Sequence, residues 1–149
     1  MINMQISSRF TIAIHIITCI ETFKDEYKTT SDFLAASVNV NPVIIRRILQ
    51  QLKKAGIVET KRGSGGAYAA KPLDEITFYD IYKAVDCVEN DLFHFHENPN
   101  TNCPVGRNIH FVLDNRLHDV QNAMENKLKE MKLSDVVNDT LKLIGKEAQ

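Results

Sequence analysis

Between Asn41 and Gly56 the chain reads NPVIIRRILQQLKKAG, and no other stretch restricts the possible folds as tightly. Asn41 is a strong helix N-cap, and Pro42 suits the first helical position, where a missing N–H costs nothing. The same proline disfavours helical geometry at Asn41, so a preceding helix must stop before it. Gly56, after Lys53, Lys54 and Ala55, is a C-terminal stop. Within these bounds Ile45, Ile48, Leu49 and Leu52 recur at helical spacing and predict a buried stripe. Arg46, Arg47, Gln50, Gln51, Lys53 and Lys54 are left on the opposite face.

The flanking segments predict what this helix packs against. Upstream, Thr29, Thr30 and Ser31 can cap a short helix that runs through Phe33, Leu34 and Ala36 and ends near Val38 and Asn39. Two helices joined by three or four residues make a helix-turn-helix. Residues Gln5 to Phe23 predict a first helix. Its stripe of Phe10, Ala13, Ile14 and Ile17 is doubled by Ile12 and Ile16, so it is deeply buried or shared with a partner subunit. Downstream, Ile57–Lys61 and Ala67–Lys71 are short extended runs separated by Arg62, Gly63, Ser64, Gly65 and Gly66. They predict a β-hairpin with a glycine-rich tip, a wing, with Tyr68 packing in it. The tip is not a nucleotide phosphate loop, because no Lys–Ser/Thr pair follows and no helix begins there.

Charge distribution gives these elements a partner. The 149-residue chain carries a net charge of −1, which by itself does not suggest nucleic acid. Pro42–Lys71, however, holds seven basic residues and the single acid Glu59, so this segment carries +6 and the remainder −7. A basic field gathered on one face of an acidic chain is the footprint of a protein that meets phosphates on that face. A hydrophobic fraction of 44% and a charged fraction of 25% fit a globular domain and argue against disorder. The apolar run Phe10–Ile20 is too short and too polar to cross a bilayer. No secretory leader is expected. Three widely spaced cysteines fit neither a disulfide framework nor a paired zinc motif, so the expected setting is the reducing cytoplasm.

The C-terminal half predicts assembly and sensing. Thr77 and Asp80 form a capping pair for a fourth helix with an apolar face of Phe78, Ile81, Tyr82 and Val85. After a loop rich in Asn and Pro, Pro104 opens a long helix. Leu113, Leu117, Val120, Met124 and Met131 recur along it at alternating three- and four-residue spacing, with Lys127 at an interrupted position. Val105–Met131 is therefore the expected dimer helix, the alternative being a helix packed on its own head. Ser134–Ile144 is a short closing helix. The expected fold is mainly α with a small β-wing: a winged helix-turn-helix head over residues 1–86, a sensor or linker loop over 87–103, and a dimerisation helix with a C-terminal helix over 104–149.

Several motifs, in order, resemble the Rrf-two family of bacterial winged-helix transcriptional regulators, the IscR, NsrR and CymR group. They are Ser7–Ser8–Arg9–Phe10, Asn41–Pro42 with Arg46–Arg47, Leu52–Val58, Lys61–Tyr68 and Ile76–Tyr82. His96–Glu97–Asn98–Pro99 and Cys103–Pro104–Val105–Gly106 resemble its YwnA-like branch. The resemblance implies a regulator, typically a repressor, that dimerises through a long C-terminal helix and binds an imperfect palindrome in double-stranded DNA. Iron–sulfur members carry three closely spaced cysteines after the wing domain. Here Cys87 and Cys103 stand far apart in that region without a third, so no iron–sulfur cluster or other cofactor is expected.

Residue chemistry and resemblance together define the candidate DNA contacts. Val43, Arg46, Arg47 and Gln50 lie towards the start of the third helix and are expected at or near base edges, since Arg and Gln can read bases by paired hydrogen bonds. Lys53 and Lys54 suit phosphates. Arg62 suits a narrow minor groove, and Gly63, Ser64, Gly65 and Gly66 allow close backbone approach. Ser7, Arg9, Thr29, Thr30, Asn41, Pro42 and Lys61 complete the set. One recognition helix reads few base pairs, so a two-fold dimer with helices about one turn of DNA apart, roughly 34 Å, or a multiple of that, is expected.

Cys103 is the candidate sensor. It stands beside the N-terminus of the long helix, with Arg107 and His110 following, and such surroundings lower a thiol's pKa. Cys19 reads as a core residue, and Cys87 is open between the two roles. His94, His96, Cys103 and His110 could be drawn as a metal site, with both His94 and His96 on one face if that segment were a strand. The spacing is poor, and no metal is expected. No nucleophile–base pairing suggests an enzyme. The alternative function is a winged helix that controls a partner enzyme or regulator through protein contacts. Steep loss of DNA affinity with salt discriminates against it.

Overall fold

The computed structural model of the chain describes residues 7–63, 65–85 and 92–147. The first helix, α1 (Arg9–Phe23), starts later than its hydrophobic pattern suggests. Gln5 lies outside the described residues. Ser7 precedes the helix and accepts a hydrogen bond at Oγ from the Arg9 amide at 3.2 Å. Of the double apolar stripe, Ala13, Ile16 and Ile17 are buried and Phe10, Ile12 and Ile14 partly so, with Cys19 and Ile20 buried beside them, because α1 is surrounded by α2 (Ser31–Val38), the second wing strand and the C-terminal helix. Cys19 is held by Ser37, whose Oγ accepts from Sγ at 3.1 Å and lies 2.9 Å from His15 Nε2.

The helix-turn-helix forms for the reasons its caps suggest. Thr30 Oγ1 accepts from the Phe33 amide at 3.2 Å to open α2. Asn39 ends it in the left-handed region (φ 63°), a conformation asparagine tolerates. Asn41 Oδ1 then accepts from the Val43 amide at 2.9 Å, and Pro42 begins α3 (Pro42–Lys54). Ile45, Ile48 and Leu52 are fully buried and Leu49 nearly so. Each such side chain contributes about 1.5–3 kcal/mol of burial free energy. Gly56 (φ 76°) turns the chain out of α3, and the Ile57 amide donates back to the Leu52 carbonyl at 2.9 Å.

The wing is shorter than its sequence pattern. Strands β1 (Val58–Thr60) and β2 (Ala67–Ala69) pair antiparallel with Val58 opposite Ala69 and Thr60 opposite Ala67. Tyr68, expected to pack in the hairpin, stands opposite Glu59 and is exposed, because the period of two that buries Ala67 turns its neighbour outward. A single 3₁₀ turn, Leu73–Glu75, leads to α4 (Phe78–Ala84). The predicted cap is present in both directions: Thr77 Oγ1 accepts from the Asp80 amide at 3.2 Å, and Asp80 Oδ2 from the Thr77 amide at 2.9 Å.

The two C-terminal helices are α5 (Pro104–Glu130) and α6 (Leu133–Glu147). Their junction is stitched to the head. The Phe78 amide donates to the Met131 carbonyl and the Leu133 amide to the Ile76 carbonyl, both at 2.9 Å. Leu133 is fully buried in the head's core. Helix α6 therefore packs along α1, while α5, about 40 Å long at 1.5 Å per residue, has no fully buried residue and meets the core only through partly buried Met124 and Leu128. No helix among the described residues is long and apolar enough to cross a membrane.

Candidate nucleic-acid interface

With Ile45, Ile48, Leu49 and Leu52 turned into the core, the geometry of a helix places Arg46, Arg47 and Gln50 outside, and all three are exposed. Val43 at the start of α3 is 52% exposed. Ile44 is also exposed, although nothing in the local pattern marks it. Two uncovered aliphatic side chains beside two arginines give this helix end both apolar and hydrogen-bonding contact chemistry, the combination that distinguishes a thymine methyl from a guanine edge.

Three hydrogen bonds hold the wing to the helix-turn-helix, two from Thr29 just before α2 and one from Lys53 of α3. Thr29 Oγ1 donates to the Ala67 carbonyl at 2.7 Å, and the Ala67 amide donates to the Thr29 carbonyl at 3.0 Å. Lys53 Nζ, from the last turn of α3, donates to Thr60 Oγ1 at 3.3 Å. Gly66 (φ 82°) passes so close to Thr29 that a Cβ would lie 2.7 Å from the Thr29 nitrogen. Its role is close packing inside the protein, where the sequence suggested close approach to DNA. Between the N-terminus of α2 and the wing lies an open cleft of about 330 Å³, lined by Thr30, Ser31, Lys61 and Gly63 among others.

The candidate residues therefore separate. Arg46, Arg47, Gln50, Val43, Asn41, Lys61, Arg62 and Gly63 are exposed, and Thr30, Pro42, Gly65 and Gly66 partly so. Ser7 and half-buried Arg9 stand at the start of α1. Ser64 lies outside the described residues. Thr29 is a correction: it is 3% exposed and its hydroxyl is engaged by Ala67, so it braces the wing and is not presented for a phosphate. A threonine's burial depends on which distant strand lies over it, here 38 residues away. No local signal carries that.

Cys103 is the N-cap of α5 and is exposed. Its thiol is held below the ordinary cysteine range by the backbone N–H groups of Gly106 and Val105. The lowering comes from the helix end itself and not from Arg107 or His110. Arg107 instead donates through Nη1 to the Thr101 carbonyl at 3.3 Å, and His110 stacks on Phe95 with ring centroids 4.7 Å apart. His96 meets the His110 ring edge-on, with centroids 5.1 Å apart. Residues 92–103 form no strand, so the alternation of His94 and His96 has no structural counterpart. Among the described residues no three His, Cys, Asp or Glu side chains converge to hold a metal ion, and Cys87 lies outside them.

Three comparisons bear on this surface. The model of the family described as "Rrf2: Iron-dependent Transcriptional regulator" matches residues 6–139. YwnA of Bacillus subtilis (strain 168), whose name classes it provisionally among HTH-type transcriptional regulators, is 46% identical over 134 residues, covering 90% of this chain and 98% of YwnA. A crystal structure named provisionally as a DNA-binding protein is 41% identical with a TM-score of 0.70, over 87% of this chain and 98% of that one. IscR of T. potens, at 18% identity and a TM-score of 0.67 over 91% and 88% of the two chains, shares the fold.

Proposed function

The chain belongs to the Rrf2 family of DNA-binding transcriptional regulators, and from that premise we propose that it is a homodimeric repressor of an imperfect palindrome whose DNA affinity changes when Cys103 is oxidised. The observation that carries the DNA-binding face is the clamp of Thr29 on Ala67, which joins an exposed Arg46–Arg47–Gln50 face to a wing bearing Lys61 and Arg62. The N-terminal half of α3 enters a major groove, and Arg62 reaches the neighbouring minor groove. Lys61 and the open N-terminus of α2 take a phosphate between them.

Dimerisation is supported by α5, on which Val105, Val112 and Val120 are 68%, 47% and 51% exposed. Met124 of the expected seam is used internally, packing with Leu128 against the head's own core. The uncovered valines leave a flank for a second copy, and two copies double the base pairs read.

Oxidation begins with attack of the Cys103 thiolate on a peroxide oxygen, giving the sulfenic acid and hydroxide. Condensation with a second thiol, from the partner subunit or a small molecule, then forms a disulfide and releases water. The test measures mobility shift on the protein's own promoter across a salt series. Binding that falls steeply with salt, and falls further in Arg46→Ala and Arg62→Ala while sedimentation still reports the dimer, supports the reading. Unchanged shifts in both variants refute it. Mild peroxide that leaves Cys103 unmodified by mass spectrometry removes the sensing step alone.

A further inference from the structure

An acid stands at the basic surface. Asp32, in the first turn of α2, places Oδ1 3.8 Å from Nη2 of Arg46, with the side chains 82% and 56% exposed. Its neighbours Thr30 and Ser31 line the cleft that Lys61 and Gly63 close from the wing side. We propose that Asp32 is a specificity-determining residue that acts by positioning Arg46. The inference rests on the DNA-binding reading of α3 and deepens it.

The physical case starts from what such a pair cannot do. An ion pair this long and this exposed adds little to folding, because water screens both groups. Next to a phosphate backbone, a carboxylate weakens attraction to every DNA sequence alike. That uniform part cancels from discrimination, which is a difference between two affinities, so an effect on specificity has to run through what the carboxylate does to Arg46. An unrestrained arginine on this face would turn to the nearest phosphate oxygen, a contact available on any duplex. Asp32 competes for that guanidinium and so penalises the sequence-independent contact. Only Nη2 approaches the carboxylate. A guanidinium has two donor forks, Nη1/Nη2 and Nε/Nη2, so a carboxylate facing one of them leaves the other for the two acceptors of a guanine edge, N7 and O6. The correct base offers a bidentate partner, whereas a random site offers Arg46 only the phosphates for which Asp32 competes.

The test compares a duplex selected by the wild-type protein from a random-sequence pool with a scrambled duplex of the same composition. In Asp32→Asn, which keeps the shape and removes the charge, affinity for the scrambled duplex should rise and the selected-to-scrambled ratio should fall by about threefold or more. Asp32→Glu should retain most of the ratio. The loss should vanish when Arg46→Ala is compared with the Arg46→Ala/Asp32→Asn double variant, as a cycle requires of a residue that works through its partner. An unchanged ratio in Asp32→Asn, or an equal fall with and without Arg46, overturns the proposal. Absence of salt-dependent binding of the wild-type protein to either duplex is a different result, and it sinks the DNA-binding reading itself.

Discussion

Thr29 and Ala67 are joined by two hydrogen bonds across 38 residues of sequence, the threonine hydroxyl and carbonyl meeting the alanine carbonyl and amide at 2.7 and 3.0 Å. Through this pair the residue just before the cap of α2 holds the wing at Ala67, the strand position next to the glycine tip. Thr29→Val keeps the shape but leaves the Ala67 carbonyl without that donor. The expected cost is about 1–3 kcal/mol of folding stability, the penalty for a buried unsatisfied carbonyl, measured by chemical denaturation. Operator affinity should fall as well, under conditions where the variant remains folded by circular dichroism.

Gly66 and Gly63 should respond differently to the same substitution. Both have positive φ, 82° and 69°, which costs an alanine about 1–2 kcal/mol. A Cβ at Gly63 meets open space, whereas at Gly66 it would come within 3 Å of the Thr29 backbone. Gly66→Ala should therefore lower the denaturation midpoint clearly more than Gly63→Ala. Equal midpoints would mean that the wing relaxes away from Thr29 without loss.

Val120 and Val112 test the dimer. Both are about half exposed in the single chain, so Val112→Lys with Val120→Lys should leave the fold intact. The pair should convert a dimer to a monomer in sedimentation equilibrium and weaken operator binding by tenfold or more, on the order of the 1.4 kcal/mol that separates decades of affinity. Persistence of the dimer would move the interface off this flank of α5.

The Cys103 thiol should be alkylated at lower pH than an unstructured cysteine. Its pKa is lowered by the Gly106 and Val105 amides, so the reactive thiolate is already present at pH values where an ordinary thiol is protonated, and is lost only as pH falls through the lowered pKa. Cys19, 6% exposed, should react only after unfolding. A pH–rate profile for iodoacetamide, with the modified site located by peptide mapping, checks both statements. A Cys103 profile that coincides with a model peptide would remove the helix-end effect.

What the amino-acid order determined by itself was everything that depends on neighbours in the chain. Asn41 and Pro42 start α3, Thr77 and Asp80 close on each other, and the Ile45–Leu52 stripe divides core from contact face, because capping and helical periodicity act within about two turns. The glycines of residues 63–66 mark a turn for the same reason. Only the tertiary structure decided which of those groups remain available. Thr29 looked like a phosphate ligand until β2 covered it, and Gly66 proved to be spaced by Thr29. Arg107 went to a carbonyl instead of a thiol, and Asp32 came to face Arg46 from another helix. Burial and pairing across tens of residues follow from how elements stack, and that information is spread over the whole core.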